Sequence, residues 1–173
     1  MKKYFFAVAV FCLMGLIYSC TENPVINAEV MDADELKNLP GFSWYEFEIN
    51  QYIPLDSSLQ SIKTKFNPST DNFLIYVKPS CACTGTYKQF PAFMKIINEL
   101  NIPKANYKVY SMTSEFNEYP EKNLFKIVEL PTFMLMRNGV PVYSIADTFN
   151  LKAQSTDSLR LEQVLQTAYK QIQ

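Results

Sequence analysis

The chain contains no histidine among its 173 residues. That absence excludes the Ser-His and Cys-His pairs of common hydrolases and the mixed Cys/His sites that hold zinc. Glycine is scarce as well, and none of the four glycines belongs to a phosphate-binding loop motif. The formal net charge of −1 gives no basic surface for nucleic acid. We therefore predict no nucleic-acid partner and no bound cofactor.

The rest of the composition is typical of one globular domain. Hydrophobic residues make up 48% of the chain and charged residues 19%. A chain of this length can bury its own core, and it shows no internal repeat or low-complexity tract.

The first twenty residues differ from the rest of the chain. A positively charged start is followed by an apolar stretch over residues 4–17, which is shorter than the roughly 20 residues of a membrane span and typical of a signal peptide. It ends in IYSC at residues 17–20, which resembles a bacterial lipobox with Cys20 as the lipidated residue. We predict a signal peptide over residues 1–19 and lipidation at Cys20. The alternatives are a secreted form without lipid and a retained membrane helix.

A polar, acidic segment with prolines near both ends follows over residues 20–40, and we predict that it is a flexible tether. Thr21, rather than Asp, follows the lipid cysteine, as in lipoproteins of the outer membrane. The resemblance implies a protein of the cell envelope, anchored to the membrane through Cys20 and facing the periplasm. The folded domain is predicted over residues 41–173.

Cysteine usage points to chemistry rather than to stabilisation. Of the four cysteines, Cys12 is lost with the signal peptide and Cys20 is lipidated, which leaves Cys81 and Cys83. Exported proteins occupy compartments in which disulfides persist. A bridge across a single residue hardly constrains the unfolded chain, because the loop that it closes is so short. The pair therefore indicates redox chemistry or metal binding.

Hydrophobic periodicity predicts alternating strands and helices. The clearest signals are five apolar residues over 73–77, typical of a strand covered on both faces, and Asn138-Gly139 between two apolar runs, typical of a hairpin. The predicted elements are a strand over 42–49, a helix over 56–66, a turn over 67–71, a strand over 73–77, a helix over 84–101 kinked at Pro91, a strand over 107–112, a short helix over 120–127, the hairpin, and a helix capped by residues 156–158. This order predicts an α/β fold with a mixed sheet.

The order of elements resembles thioredoxin, and the residues agree at three places. A buried strand leads into a cysteine motif that opens a helix. That helix contains Pro91, eight residues after Cys83. Leu130-Pro131-Thr132 is followed by an apolar strand and the hairpin, as in the family's cis-proline loop. The resemblance covers about residues 41–173 and implies a thioredoxin-like three-layer sandwich with a central mixed β-sheet flanked by helices.

Two features depart from the family. The cysteines are separated by one residue instead of two, so two alignments remain open. In one, Cys81 attacks and Cys83 resolves. In the other, Cys83 holds the attacking position and Thr86 stands where the second cysteine would be. The acid that the family buries beneath its disulfide would fall at Val77 or Ile75, and neither is acidic.

The resemblance assigns roles to four residues. Cys81 and Cys83 are the catalytic pair, and a helix N-terminus favours the thiolate that attacks a disulfide. The peptide bond before Pro131 is cis in the family, and the backbone of Leu130 pairs with a substrate strand. Leu130 and Pro131 are therefore the predicted substrate-binding residues.

These observations predict a lipid-anchored thiol–disulfide oxidoreductase. Its partners would be thiols or disulfides of exported proteins and an unidentified redox donor. One alternative is a thioredoxin-fold binding module that is redox-inactive. The other is a Cu(I) site in which Met112, Met134 or Met136 joins the two cysteine thiolates.

Overall fold

The structure, a computed structural model, describes residues 26–32, 35, 38, 40–79, 83–153 and 159–172. The predicted signal peptide, the lipidation site Cys20 and the cysteine Cys81 lie outside these residues. In the part of the chain that is described, no helix has the length and apolar character needed to cross a membrane. The lipid anchor at Cys20 stays a prediction.

The described elements form a mixed α/β fold. The strands are β1 (Glu29–Met31), β2 (Asp71–Val77), β3 (Tyr107–Ser111), β4 (Thr132–Arg137) and β5 (Val140–Ser144). The helices are α1 (Tyr45–Gln51), α2 (Asp56–Lys63), α3 (Phe90–Glu99), α4 (Ile145–Ala153) and α5 (Leu161–Gln171), with a π-helical turn over Gly85–Gln89 and a 3-10 turn over Lys104–Asn106. The sheet order is β1-β3-β2-β4-β5. Only β2 and β3 are parallel, and the other neighbouring strands are antiparallel, so the predicted mixed sheet is confirmed.

The central strand β2 is buried on both faces, as its unbroken apolar run predicts. Phe73, Ile75 and Val77 are fully buried against the helices. Leu74 and Tyr76 point to the opposite face and join a second, smaller core. The strand therefore connects two cores across the sheet.

The two faces of the sheet are covered differently. The buried apolar residues of all five α-helices belong to the first core. The second core is covered by the segment that joins β3 to β4, and the helix predicted there over 120–127 is wrong. The Tyr119 hydroxyl donates to the Phe125 carbonyl at 2.7 Å and accepts from the Ile127 N–H at 3.0 Å. These side-chain bonds hold the segment as turns.

The strand predicted over 42–49 is also wrong, because α1 occupies most of this segment. Phe42, Tyr45 and Glu48 are buried, and their spacing of three residues is that of one helical face. The Tyr45 ring lies 5.5 Å from the ring of Phe90 at the start of α3. Packing against α3 therefore decides the conformation over the strand propensity of the aromatic residues.

Strand β1 lies inside the segment that the sequence predicts as a tether. Val30 pairs with Tyr110 in β3, and the Ala28 N–H donates to the Glu118 carbonyl at 2.7 Å. The sheet therefore begins within residues 20–40. Three polar-flanked residues carry little pattern of their own, and the exposed edge of β3 determines that they pair.

The remaining local predictions that fall on described residues agree with the structure. Asn138 and Gly139 both have positive φ, at 52° and 76°, as a tight hairpin turn requires. Helices α2 and α5 are present, although α2 ends at Lys63 and α4 was not predicted. The cap predicted at residues 156–158 lies outside the described residues.

Candidate active site at one end of the sheet

Pairing within the sheet places Cys83, Leu130 and Pro131, the predicted site residues that the structure describes, near one end of the sheet. Tyr76, near the end of β2, lies opposite Thr132, the first residue of β4. Because the two strands are antiparallel, the segment that leaves β2 and the segment that enters β4 are neighbours. The Met112 N–H donates to the Val77 carbonyl at 2.8 Å, so the end of β3 lies there as well.

The turn after Cys83 is in direct contact with Pro131. A Cβ atom built on Gly85 would lie 2.6 Å from the Pro131 Cδ and 3.7 Å from the Leu130 carbonyl oxygen. The Leu130–Pro131 peptide bond is cis, as the resemblance implies. Pro131 is buried and Leu130 is partly buried. The structure therefore brings the predicted substrate-binding pair against the residues that follow Cys83.

Cys83 is partly buried and disulfide-bonded. The chain's other three cysteines lie outside the described residues, so the predicted pairing with Cys81 stays a prediction.

The predicted proline kink takes the form of a π-helical turn. The Phe90 N–H donates to the Gly85 carbonyl, five residues earlier, and α3 begins at Phe90 with Pro91 in its first turn. Pro91 has no N–H, and its ring would collide with the carbonyl four residues earlier in a regular α-helix. One extra residue in the turn removes the collision, and such π-turns are frequent at functional sites.

Aromatic residues from the start of the domain form a wall beside this turn. The ring of Trp44, the chain's only tryptophan, lies 4.8 Å from that of Tyr87 and 5.6 Å from that of Phe42. Gly41 has a φ of +89°, and a Cβ there would lie 3.4 Å from the Pro79 carbonyl oxygen. Sequence reasoning missed this wall, since nothing local links residues 41–44 to the cysteine motif.

A buried acid approaches the turn from α1 rather than from β2. The Glu48 carboxylate side chain is 5% exposed, and its two oxygens lie 2.7 and 2.9 Å from the Lys88 Nζ. Both residues line a cleft of about 610 Å³ that also includes Thr84, next to Cys83. Because of these short distances, Glu48 compensates the charge of Lys88. By contrast, Ile75 and Val77, where the resemblance would place an acid, are fully buried and apolar.

The methionines of the copper alternative are part of the second core. Met112, Met134 and Met136 are 1%, 7% and 4% exposed and pack with Leu74 and Tyr76. Their burial is explained by packing. Within the described ranges, no cluster of three or more His, Cys, Asp or Glu side chains is placed to hold a metal ion.

The other buried acid of β2 lies at the opposite end of the sheet. Asp71 accepts from the Arg137 guanidinium at 2.9 and 3.1 Å, from the Asn67 N–H and from the Thr70 hydroxyl. Burial alone would raise the pKa of Asp71, but these hydrogen bonds outweigh it and hold the pKa below its ordinary value. Because Asp71 and Arg137 stand at the far end of β2 and β4 from Pro131, their role is structural.

The chain as a whole matches no family model, no curated protein and no solved structure.

Proposed function

We propose that this protein is a thiol–disulfide oxidoreductase with a thioredoxin-like fold that acts through the pair Cys81 and Cys83. One observation carries the proposal. A disulfide-bonded, partly exposed Cys83 precedes a helical turn that packs directly on a cis-proline loop. A structural role for the cysteines would not require this neighbour.

Several features of the fold support the family assignment. The central strand β2 leads into the cysteine motif, a helix containing Pro91 follows, and the cis-proline precedes a strand that ends in a hairpin. These are the features on which the resemblance of the sequence rests, and in the folded chain the turn after Cys83 and the cis-proline loop meet at one end of the sheet.

The proposed reaction is thiol–disulfide exchange. A substrate thiolate attacks one sulfur of the Cys81–Cys83 disulfide, the sulfur–sulfur bond breaks, and the other cysteine leaves as a thiolate that takes up a proton. A second substrate thiol, after losing its proton, attacks the substrate sulfur of the mixed disulfide. The bond between that sulfur and the protein breaks, the protein cysteine leaves as a thiolate that takes up a proton, and the substrate departs as a disulfide. Two electrons have then passed from the substrate to the protein, and an external redox donor or acceptor resets the pair. The reverse sequence reduces a substrate disulfide.

The proposed substrate class is supported by the segment before Pro131, which leads into the contact with Gly85. The segment before Pro131 contains Val128, 69% exposed, and the exposed Glu129, followed by the partly buried Leu130. An extended polypeptide can pair with such a segment through its backbone and place a thiol beside Cys83. We propose that the substrates are exported proteins, and that lipidation of Cys20 holds the enzyme at the outer membrane, facing the periplasm. Fatty-acid labelling that is lost in C20A tests the anchor.

A redox-inactive binding module is the second candidate. Apolar burial at Ile75 and Val77 favours it, because no acid stands at either position to accept a proton from a resolving thiol. The two candidates differ in turnover but not in peptide binding.

The deciding experiment is trapping of mixed disulfides with C81S and C83S. We expect one single variant to accumulate mixed disulfides with exported proteins, whereas the double variant C81S/C83S accumulates none. Insulin reduction by the purified wild type, supplied with dithiothreitol, measures turnover. If neither single variant traps a partner and the wild type does not exceed the dithiothreitol background, the binding module is the better description.

A further inference from the structure

The Thr86 hydroxyl is one of two buried polar groups of the turn after Cys83 that have no hydrogen-bond partner, the other being the Gln89 Oε1. Thr86 is fully buried, and its Oγ1 has no hydrogen-bond partner. A buried hydroxyl without a partner is unfavourable, because it has lost its hydrogen bonds to water and has formed none with the protein. Such a group calls for an explanation in terms of what it bonds in another state of the protein.

Other helical threonines of this chain show the usual solution. The Thr148 hydroxyl donates to the Ser144 carbonyl at 2.8 Å, and the Thr167 hydroxyl donates to the Gln163 carbonyl at 2.9 Å. Both bond to the carbonyl four residues earlier, as threonine commonly does in a helix. Thr86 also lies in a helical turn but does not make this bond, so its hydroxyl hydrogen is available.

Thr86 stands one helical turn after Cys83. The Tyr87 N–H donates to the Cys83 carbonyl at 2.9 Å, which closes an α-helical turn over these residues. Side chains three apart in such a turn are neighbours, with Cβ atoms about 5–6 Å apart. Contact between Gly85 and the Pro131 ring, where a Cβ would lie 2.6 Å from Cδ, holds the backbone between the two residues in place.

The oxidation state of Cys83 determines whether a good acceptor is present. The sulfur of a disulfide is a weak acceptor, whereas a thiolate carries a full charge and accepts strong hydrogen bonds. We propose that Thr86 donates its hydroxyl hydrogen to the Cys83 thiolate when the disulfide is reduced, which makes Cys83 the stabilised thiolate of the pair. This inference rests on the proposed oxidoreductase function and chooses between the two possible attacking cysteines. Thr86 is then a positioning residue.

The charged groups around the turn do not provide the same stabilisation. Lys88, in the turn itself, is compensated by Glu48 of α1. From the cis-proline segment comes Glu129, an exposed acid that would disfavour a thiolate. Lys78, which follows the last residue of β2, is partly buried and is a cation of the described residues that would act in the same direction as Thr86. The hydroxyl can therefore be tested separately from these charges.

The test is a redox titration of the full chain, extracted in detergent, against reduced and oxidised glutathione. In the balanced reaction two reduced glutathione molecules convert the protein disulfide to one thiol and one thiolate, with release of oxidised glutathione and one proton. The variants are T86V, which keeps the shape and removes the hydroxyl, T86S, which restores it, and T167V, in which a hydroxyl bonded to a carbonyl is removed instead.

We expect T86V to shift the equilibrium at least about tenfold toward the disulfide and to raise the pKa of the Cys83 thiol, because a hydrogen bond to a charged group is lost. T86S should stay within about twofold of the wild type, and T167V should not shift. Thiol reactivity toward iodoacetamide as a function of pH reports the pKa. The melting temperature of oxidised T86V should not fall below that of the wild type, since no bond is lost in that state.

Two results separate the inference from the function on which it rests. If the wild type exchanges with glutathione but T86V has the same equilibrium constant and thiol pKa, the role of Thr86 is wrong and the oxidoreductase stands. If T86S behaves like T86V, the effect is one of packing and the role of the hydroxyl is also wrong. If the wild type does not exchange at all, both proposals fail.

Discussion

Replacing Gly85 by alanine tests whether the cis-proline loop must lie against the cysteine turn. The new Cβ would stand 2.6 Å from the Pro131 Cδ, about 1 Å closer than favourable carbon–carbon contact. The neighbour is a ring fixed to the backbone, so the turn or the loop must move. Overpacking of this kind costs about 1–3 kcal/mol, and the better helix propensity of alanine returns about 1 kcal/mol. We expect G85A to lower the free energy of unfolding by up to about 2 kcal/mol.

The larger effect should be on exchange with a protein substrate. Displacement of catalytic and binding groups by about 1 Å can lower a rate about 100-fold. We therefore expect G85A to slow insulin reduction by tenfold or more, measured by turbidity, while urea unfolding measures stability in the same samples.

Gly139 provides the matched control. Its φ is +76°, but no atom lies within 4 Å of the position that a Cβ would take. G139A should cost about 1–2 kcal/mol through backbone strain alone and leave exchange unchanged, because the hairpin turn lies at the far end of β4. If G85A reduces insulin at the wild-type rate, the proposed role of the Gly85–Pro131 contact is refuted. If G85A and G139A lose the same share of the exchange rate, the loss is due to lower stability and not to this contact.

Three further predictions concern stability and a reporter of the redox state. Because the pKa of Asp71 is lowered by folding, its contribution to stability is present above the ordinary carboxyl pKa of about 3.9 and is lost as pH falls through the lowered value. Urea unfolding measured at decreasing pH should show this loss in the wild type. D71N should already be destabilised by about 3 kcal/mol at pH 7, because Arg137 is left unpaired. If the free energy of unfolding falls equally with pH in the wild type and in D71N, the prediction is contradicted. Trp44 fluorescence should change when the disulfide is reduced, with C81S/C83S as the unresponsive control, since its ring reaches the cysteine turn. Y119F should lose about 1–3 kcal/mol, because the Phe125 carbonyl and the Ile127 N–H both lose their bonds to the hydroxyl; stability equal to the wild type would mean that these bonds do not hold the segment.

Elements with a strong local signal could be predicted from the sequence. The run over 73–77 indicated a strand buried on both faces because apolar residues of that length without alternation need cover on both sides. Asn138 and Gly139 indicated a hairpin because both tolerate positive φ. Pro91 indicated a disturbed helix because it lacks an N–H, although whether a bend or a π-turn results depends on the neighbouring backbone.

Elements that depend on partners far along the chain could not be predicted in this way. Alternating aromatics over 42–49 are compatible with a strand, and only contact with Phe90 makes a helix the better solution. Strand β1 forms because the edge of β3 is open to it. Turns replace a helix over 120–127 because the Tyr119 hydroxyl bonds the backbone after it.

The features of the candidate site likewise fall into those that the sequence predicts and those that depend on tertiary structure. The amino-acid sequence by itself determined which reactive groups are present: a close pair of cysteines after a buried strand and a proline loop far downstream. It also excluded Ser-His and Cys-His catalysis, because the chain has no histidine. Tertiary structure alone decided the geometry: the Pro131 ring against Gly85, Trp44 against Tyr87, and the Thr86 hydroxyl without a partner one turn after a disulfide-bonded Cys83. The reason is physical, because side-chain chemistry is local to a residue, whereas distance and burial arise only when strands remote in sequence pair at one end of a sheet.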